Sequence, residues 1–134
     1  MQTTETTAAP SKAMYWTGWA ISALPVLMIL VSAAMKLAKP APIVEGMAKH
    51  GYPEHLIVGL GVVELTCTVL YLIPQTSVLG AILLTGYLGG ATATHVRVGE
   101  LSQALMGAVP FGVLLWLGLY LREPRLRALI PWRK

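Results

Sequence analysis

Four apolar segments of about 20 residues dominate this chain of 134 residues. Each is close to the length that an α-helix needs to cross the hydrocarbon core of a bilayer. Apolar residues lie on all sides of each segment, which argues against the amphipathic helices of a soluble domain. Strict alternation of apolar and polar residues, the pattern of a transmembrane barrel, is missing. The sequence therefore predicts four transmembrane helices, at residues 14–35, 53–73, 77–96 and 102–121.

The low charge of the chain also favours a membrane protein. Only 12% of its residues are charged and its mean hydropathy is +0.65, whereas a soluble domain carries about 25% charged residues. We therefore expect an all-α integral membrane four-helix bundle over residues 14–121. The polar residues 1–13 are predicted to be disordered. The basic residues 122–134 are predicted to lie as a tail on the anionic leaflet of the bilayer.

The connection between the first two predicted helices is longer than the other two connections. It contains Pro42 at a position typical of a helix start, and Glu45 and Lys49 form a favourable pair one turn apart. Gly51 then suits a helix C-cap. The stretch KLAKPAPIVEGMAKHGY therefore predicts a short interfacial helix between helices one and two, lying over one end of the bundle.

The distribution of basic residues predicts the orientation of the chain. Four spans place both termini on one side, which holds six lysines and arginines against four on the opposite side. Cytoplasmic loops carry an excess of positive charge, so we expect cytoplasmic termini. The positive charge suits contact with anionic lipid and calls for no nucleic-acid partner. The single Cys67 excludes an intrachain disulfide or dithiol.

Glu64 is the most informative residue, because it lies near the centre of the second predicted helix. A carboxylate at that depth costs about 3 kcal/mol on insertion scales. It must therefore point into the bundle, pair with another group or stay protonated. Gly61, Thr68 and Tyr71 share its helix face, which predicts an inward-facing stripe. Two interpretations stay open: a functional carboxyl group, or a structural hydrogen-bond anchor between helices.

The third predicted helix carries a second polar stripe, which includes Tyr87 and His95. Its glycines have a different predicted role, because small residues four positions apart allow another helix to approach closely. Helices one and three both run towards the longer loop, so Lys36, His95 and Arg97 are expected to ring one mouth of the bundle. The glycines predicted to pack against another helix are Gly86, Gly89 and Gly90.

Glu64 is expected at the floor of that mouth, about 15 Å below it at a rise of 1.5 Å per residue. This axial distance predicts that a direct bond between Lys36 and Glu64 is too long. A relay through Tyr71, Tyr87 or water is expected to connect the two instead. The candidate ligand-binding residues are therefore Glu64, Lys36, His95, Tyr87, Arg97 and Tyr71.

No metal site and no intrinsic cofactor are expected from the sequence. His50 and His55 lie on either side of Gly51 and Pro53 and so share no helix face, although His95 lies at the same end. No motif with metal-ligand spacing is present. A haem needs axial ligands, and His95 is the one candidate near the bundle. Nucleotide-binding loops, catalytic triads and paired carboxylates are also missing from the sequence.

The chain resembles the DoxX-like family in the stretches SAAMKL, VEGMAKHGYPE and GVVELTCTVLYLIPQTSVLGAILLTGYLGGATATHVR, over roughly residues 14–121. The resemblance implies a small four-helix protein of the bacterial inner membrane. The wider group takes its name from a small subunit linked to a quinone-reducing thiosulfate oxidation system, which implies a redox partner. The positions that match the family pattern are Lys36, Glu64, Tyr87, Gly89, Gly90, His95 and Arg97.

These observations lead to one main hypothesis and two alternatives. The main hypothesis is an internal cavity that binds a small lipophilic ligand, with a quinone expected and a lipid as the other candidate, in an accessory subunit of a redox system. The first alternative is a membrane scaffold or assembly partner, alone or as a homo-oligomer, with no ligand. The second is a small standalone membrane enzyme that performs acid–base chemistry on a lipophilic substrate.

Overall fold

A computed structural model describes residues 9–133, and within that range the chain is helical with no strand. Four helices are long and apolar enough to cross a membrane, which confirms the predicted all-α membrane bundle. The elements, in chain order, are α1 (Lys12–Ala38), α2 (Ala41–Lys49), α3 (Glu54–Leu72), a 3₁₀ turn (Pro74–Thr76), α4 (Ser77–Arg97), α5 (Leu101–Met106), α6 (Ala108–Arg122) and α7 (Pro124–Arg127).

The four long helices form a closed ring in which neighbours are antiparallel. α1 packs against α3 and α6, and α4 packs against the same two helices from the other side. The core between them is apolar and includes Ile29, Leu84, Leu115 and Leu119, each at most 3% exposed. Large apolar side chains also cover the outside of the ring, such as the 60% exposed Leu27. An apolar exterior on helices of this length fits a protein that is surrounded by lipid.

Local capping explains the bounds of α1. The Ser11 hydroxyl accepts a hydrogen bond from the Met14 backbone N–H at 3.2 Å, so the helix begins at Lys12, two residues before the predicted span. Residues 1–8 of the predicted disordered segment lie outside the described residues. At the other end, Lys39 adopts a left-handed conformation with φ of 51°. Pro40 follows, and a proline disfavours the helical conformation of the residue before it, so α1 ends at Ala38.

The predicted short helix between the first two spans is present as α2. Pro42 stands in its first turn, and Gly51 just beyond it has a φ of +87°, a conformation that glycine adopts without steric penalty. α2 is amphipathic, and it turns Ile43 and Met47 towards the pocket described below. It therefore covers the end of the bundle where α1 stops and α3 begins.

The fourth span is interrupted, although the sequence predicts one helix over residues 102–121. The chain leaves helical geometry at Gly107, with φ and ψ of −111° and −89°, so that α5 and α6 are separate helices. Pro110 lacks a backbone N–H and its ring clashes with the carbonyl of the preceding turn. The missing hydrogen bond places the break just before α6.

The start of the predicted basic tail is packed against the bundle. Arg122 belongs to α6 and is only 8% exposed, and Leu126 of α7 is 4% exposed. Trp132, near the end of the described residues, is 69% exposed. Contact of the tail with an anionic leaflet stays a prediction.

Close helix packing depends on glycines other than the three predicted. A Cβ on Gly80 would overlap the backbone of Tyr71, so the absence of a side chain at Gly80 allows α3 and α4 to pack as a tight hairpin. Gly18 and Gly118 face each other in the same way between α1 and α6. By contrast, a Cβ on any of the predicted packing glycines would meet no atom of residues 9–133 within 4 Å. The predicted packing role is therefore wrong for Gly86, Gly89 and Gly90.

Candidate functional site

A pocket of about 670 Å³ lies at the end of the bundle covered by α2. Residues from α1, α2, α3, α4 and α6 line it, so it is formed by the ring as a whole. Its volume falls within the range of roughly 300–1,000 Å³ that small-molecule sites occupy. The walls are mostly apolar and include Met28, Ile29, Met47, Leu60, Leu88 and Phe111.

An ion pair between two spans forms one wall of the pocket. The Lys36 Nζ on α1 lies 2.8 Å from the Glu64 Oε2 on α3, and it also donates a hydrogen bond to the Ser32 hydroxyl at 2.6 Å. The Glu64 side chain is 4% exposed and the Lys36 side chain 14%. A charge at this depth needs a partner, because an unpaired ion in an apolar interior is very unfavourable.

The sequence-based prediction that this bond is too long is wrong, and the register of the helices explains the error. A Cβ on Gly61 would lie 3.0 Å from the Lys36 Cβ, so Lys36 is level with Gly61 and not with the start of α3. Glu64 follows three residues later, an axial distance of about 4.5 Å. Helical side chains also point towards their own N-terminus. In antiparallel helices those two directions converge, and the lysine side chain spans the remaining gap.

Tyr87 adds a third span to the same carboxylate oxygen. Its hydroxyl, on α4, donates a hydrogen bond to Glu64 Oε2 at 3.1 Å, and Lys36 Nζ lies 5.9 Å from the centre of its ring. One oxygen of Glu64 thus accepts from both neighbours. We call Lys36, Glu64 and Tyr87 the floor triad. All three line the pocket, including Lys36, which the sequence placed at the mouth of the bundle.

The rim of the pocket holds a second polar cluster, formed by His50, His95 and Glu100. The Glu100 Oε2 lies 2.8 Å from His50 Nε2 and 2.7 Å from His95 Nδ1. The other nitrogen of His50, Nδ1, lies 2.7 Å from the Gly46 carbonyl oxygen. We call these three side chains the rim cluster. Both histidines also line the pocket.

Contacts within the rim cluster shift the pKa values of His50 and Glu100. The hydrogen bond to Glu100 raises the pKa of His50, and the hydrogen bond to the Gly46 carbonyl raises this pKa further. The same contact with His50, followed by that with His95, lowers the pKa of Glu100. Both nitrogens of His50 face oxygen acceptors, so this arrangement favours its imidazolium form next to a carboxylate.

Arg97 and Tyr71, two of the predicted ligand-binding residues, do not line the pocket. The exposed Arg97 donates a hydrogen bond to the His50 backbone carbonyl, where it supports the end of α2. Tyr71 is fully buried, and its hydroxyl lies 2.7 Å from the Ser22 hydroxyl and donates to the Leu115 carbonyl at 2.6 Å. It lies two turns beyond Glu64, about 10 Å deeper along α3, which puts it outside the pocket.

His50 and Glu100 are the residues of this site that the sequence-based prediction missed. His50 ends α2 and Glu100 lies in the loop after α4, so 50 residues separate them along the chain. A weak signal existed, because the stretch HVRVGE places a histidine and a carboxylate on either side of a helix end. The contact with His50 depends on how α2 lies over the bundle, and the spacing of neighbouring residues does not reveal that arrangement.

The fold and the pocket define a multi-pass α-helical membrane protein with a partly polar site between its spans. Comparison with protein-family models matches residues 20–118 to the DoxX-like family. The match covers most of the chain, and the protein therefore belongs to that family. A comparison with curated proteins gives no match, and neither does a comparison with solved structures.

Proposed function

We propose that the pocket binds a small lipophilic molecule with a polar head, with a quinone as the expected ligand, and that the protein is an accessory subunit of a redox system. One observation carries the proposal: a buried, hydrogen-bonded ionic group, the floor triad, faces an otherwise apolar pocket. Small-molecule sites typically combine apolar walls with a few polar groups that fix the orientation of the ligand.

The polar groups match the chemistry of a quinone head. A quinone carbonyl oxygen accepts hydrogen bonds, and the Lys36 ammonium and the Tyr87 hydroxyl are donors in the wall of the pocket. His95 also lines the pocket, at the rim, where its ring can contact the head group. Glu64 is positioned to exchange a proton with a bound head group through its contacts with Lys36 and Tyr87. The methionine and leucine walls suit an isoprenoid or alkyl tail.

The redox context and the location extend the proposal. Both follow from the resemblance to DoxX proteins, which implies the bacterial inner membrane and a redox partner. The proposal that both termini are cytoplasmic rests on the difference in basic residues between the two sides of the membrane. One basic residue from each side, Arg122 and Lys36, is largely buried in the bundle. Leaving both out of the count keeps the excess of basic residues on the side of the termini the same.

The test is a calorimetric titration of the purified protein in detergent with a ubiquinone that carries a short alkyl tail. We expect saturable binding by the wild-type chain. Removal of the Tyr87 hydroxyl in Tyr87→Phe should weaken binding about 2–10-fold, the effect of one hydrogen bond. Glu64→Gln should weaken it further, because the Glu64 carboxylate holds both donors, Lys36 and Tyr87, in place.

Matched controls separate recognition of the head group from partition into the micelle. Glu54→Gln makes the same chemical change on the same helix, at a side chain that is 63% exposed and outside the pocket. Tyr15→Phe removes an exposed phenol on α1. Neither should change the affinity. A ligand that keeps the tail but lacks the quinone ring should bind at least tenfold more weakly. Absence of saturable binding would favour the scaffold without a ligand. Equal binding by wild type and Glu64→Gln would overturn recognition of the head group by the floor triad.

A further inference from the structure

The rim cluster brings together three potential metal ligands from three elements of the fold. His50 follows the last turn of α2, His95 lies in the last turn of α4, and Glu100 precedes α5. Their ligand atoms lie within 4.8 Å of one another. All three residues are partly buried at the edge of the pocket, so an ion could enter the cluster from solvent.

The ligand types select a class of metal. Two imidazole nitrogens and one carboxylate oxygen suit divalent ions of the first transition row, such as Zn²⁺, Fe²⁺ and Co²⁺. Three protein ligands leave at least one coordination position for water or another molecule, as in catalytic zinc sites and in non-haem iron sites. A purely structural zinc site would normally be closed by a fourth protein ligand.

The hydrogen bond from His50 to the Gly46 carbonyl gives independent support. Metal-binding histidines almost always donate their second ring N–H to a carbonyl or carboxylate, which fixes the tautomer and the orientation of the ring. In this protein Nδ1 lies 2.7 Å from the Gly46 oxygen, and Nε2 points at the cluster. A neutral His50 held in this way presents the lone pair of Nε2 to an ion between the three side chains.

Two of the three distances between ligand atoms need only a small adjustment, and the two histidine nitrogens lie within 4.8 Å of each other. Metal bonds of about 2.0–2.2 Å place neighbouring ligand atoms roughly 3.0–3.5 Å apart. The two nitrogen–oxygen distances in the cluster are 2.8 and 2.7 Å, so the carboxylate must move outward by roughly half an ångström. The Glu100 side chain is 35% exposed and lies in a loop, which leaves it free to make this movement.

We propose that His50, His95 and Glu100 form a binding site for a divalent transition-metal ion at the rim of the pocket. The proposal goes beyond the lipophilic site and does not depend on it, because none of the three ligands belongs to the floor triad. The ion would occupy the space between His50 Nε2, His95 Nδ1 and Glu100 Oε2, where hydrogen bonds now join the three side chains. The site assembles from residues 50, 95 and 100, which explains why the sequence spacing predicted none.

Titration with Co²⁺ alone tests the proposal, because the visible absorption of bound Co²⁺ reports the type and number of its ligands. The protein is the full chain in detergent, purified without a polyhistidine tag and treated with a chelator. We expect one Co²⁺ per chain, a spectrum of nitrogen and oxygen ligation, and displacement of the cobalt by Zn²⁺. Zn²⁺ should also raise the midpoint of thermal unfolding of the wild-type chain.

Variants distinguish this site from adventitious binding. His50→Ala and Glu100→Gln should each weaken Co²⁺ binding at least tenfold, and Zn²⁺ should no longer stabilise them. Glu100→Gln keeps the size of the side chain, so it provides the test even if His50→Ala fails to fold. His55→Ala removes an exposed histidine of α3 and should bind like wild type. The proposal is overturned if wild type does not saturate, if Glu100→Gln binds as well as wild type, or if His55→Ala weakens binding equally.

Discussion

Lys36 and Glu64 form an ion pair of 2.8 Å between two antiparallel spans, one helical turn apart along the bundle axis. The pair lines the pocket, and its carboxylate also accepts a hydrogen bond from Tyr87. Buried charges in a membrane protein need partners and mark functional positions. The pair therefore links the stability of the bundle to the chemistry of the pocket, and substitutions can separate these two roles.

Removal of one partner of this pair should destabilise the bundle. Glu64→Gln leaves the Lys36 ammonium buried without a carboxylate. Loss of one partner of a buried pair costs about 3 kcal/mol, at the lower end of the usual range because Lys36 keeps some exposure. The measurement is the midpoint of thermal unfolding in detergent, which we expect to fall clearly for Glu64→Gln.

The double variant provides the control for this prediction. Lys36→Met with Glu64→Gln removes both charges and should recover most of the lost stability, because two matched neutral groups of similar size are tolerated. Glu54→Gln breaks only an exposed contact of 3.8 Å with Lys39 and should change stability by less than about 1 kcal/mol. A double variant as unstable as the single one would contradict direct pairing of the two residues.

Two glycines of α4 should respond in opposite ways to alanine. Gly80→Ala places a methyl group against the Tyr71 backbone, which cannot move away without opening the hairpin, so we expect a loss of about 3 kcal/mol or more. The methyl group of Gly89→Ala meets nothing within 4 Å in the described part of the chain. This variant should be neutral or stabilising by up to about 1 kcal/mol, through helix propensity. Thermal unfolding of both variants in one detergent checks the pair. Equal destabilisation would restore the predicted packing role of Gly89.

Tyr71 should matter for stability and not for ligand binding. Tyr71→Phe removes two buried hydrogen bonds, to Ser22 and to Leu115, and should cost about 2 kcal/mol. The hydroxyl lies outside the pocket, so affinity for the short-tailed quinone should stay as in wild type. Parallel measurements of unfolding and binding check this, with Tyr87→Phe as the comparison. A large loss of affinity in Tyr71→Phe would return Tyr71 to the ligand site.

The sequence predicted the spans well because the pattern that defines them is local. Runs of apolar residues, the caps around Pro42 and Gly51, and the cost of burying Glu64 are all properties of neighbouring residues. They correctly predict four membrane-length helices, the short helix α2 and the inward face of α3. The resemblance to the DoxX-like family is likewise confirmed.

The contacts between elements could not be predicted because they depend on register. The axial offset between α1 and α3 is set by how α2 occupies the loop between them, so a distance counted from the start of α3 misplaced Lys36. The same helix brings His50 to Glu100 across 50 residues. The small residues of α4 were also ambiguous, since Gly80 packs against Tyr71 whereas Gly86 and Gly90 line the pocket.

Replacement of Arg122 by lysine should destabilise the bundle, although the charge is kept. Its guanidinium lies 3.9 Å from the centre of the Trp19 ring and 4.9 Å from that of Tyr71. Its Nε and Nη2 atoms are buried and make no hydrogen bond within the described residues. A planar, weakly hydrated guanidinium can stack between aromatic rings, whereas a compact ammonium loses this contact and keeps a higher desolvation cost.

We therefore expect Arg122→Lys to lower the free energy of unfolding by about 2 kcal/mol, the value of a desolvated cation–π contact. Arg125→Lys, an exposed position in α7, is the matched control and should be neutral. Trp19→Leu should produce a loss similar to that of Arg122→Lys, and the double variant should lose little more than either single variant, because both changes remove the same contact. Additive losses in this cycle would show that Arg122 and Trp19 stabilise the bundle independently.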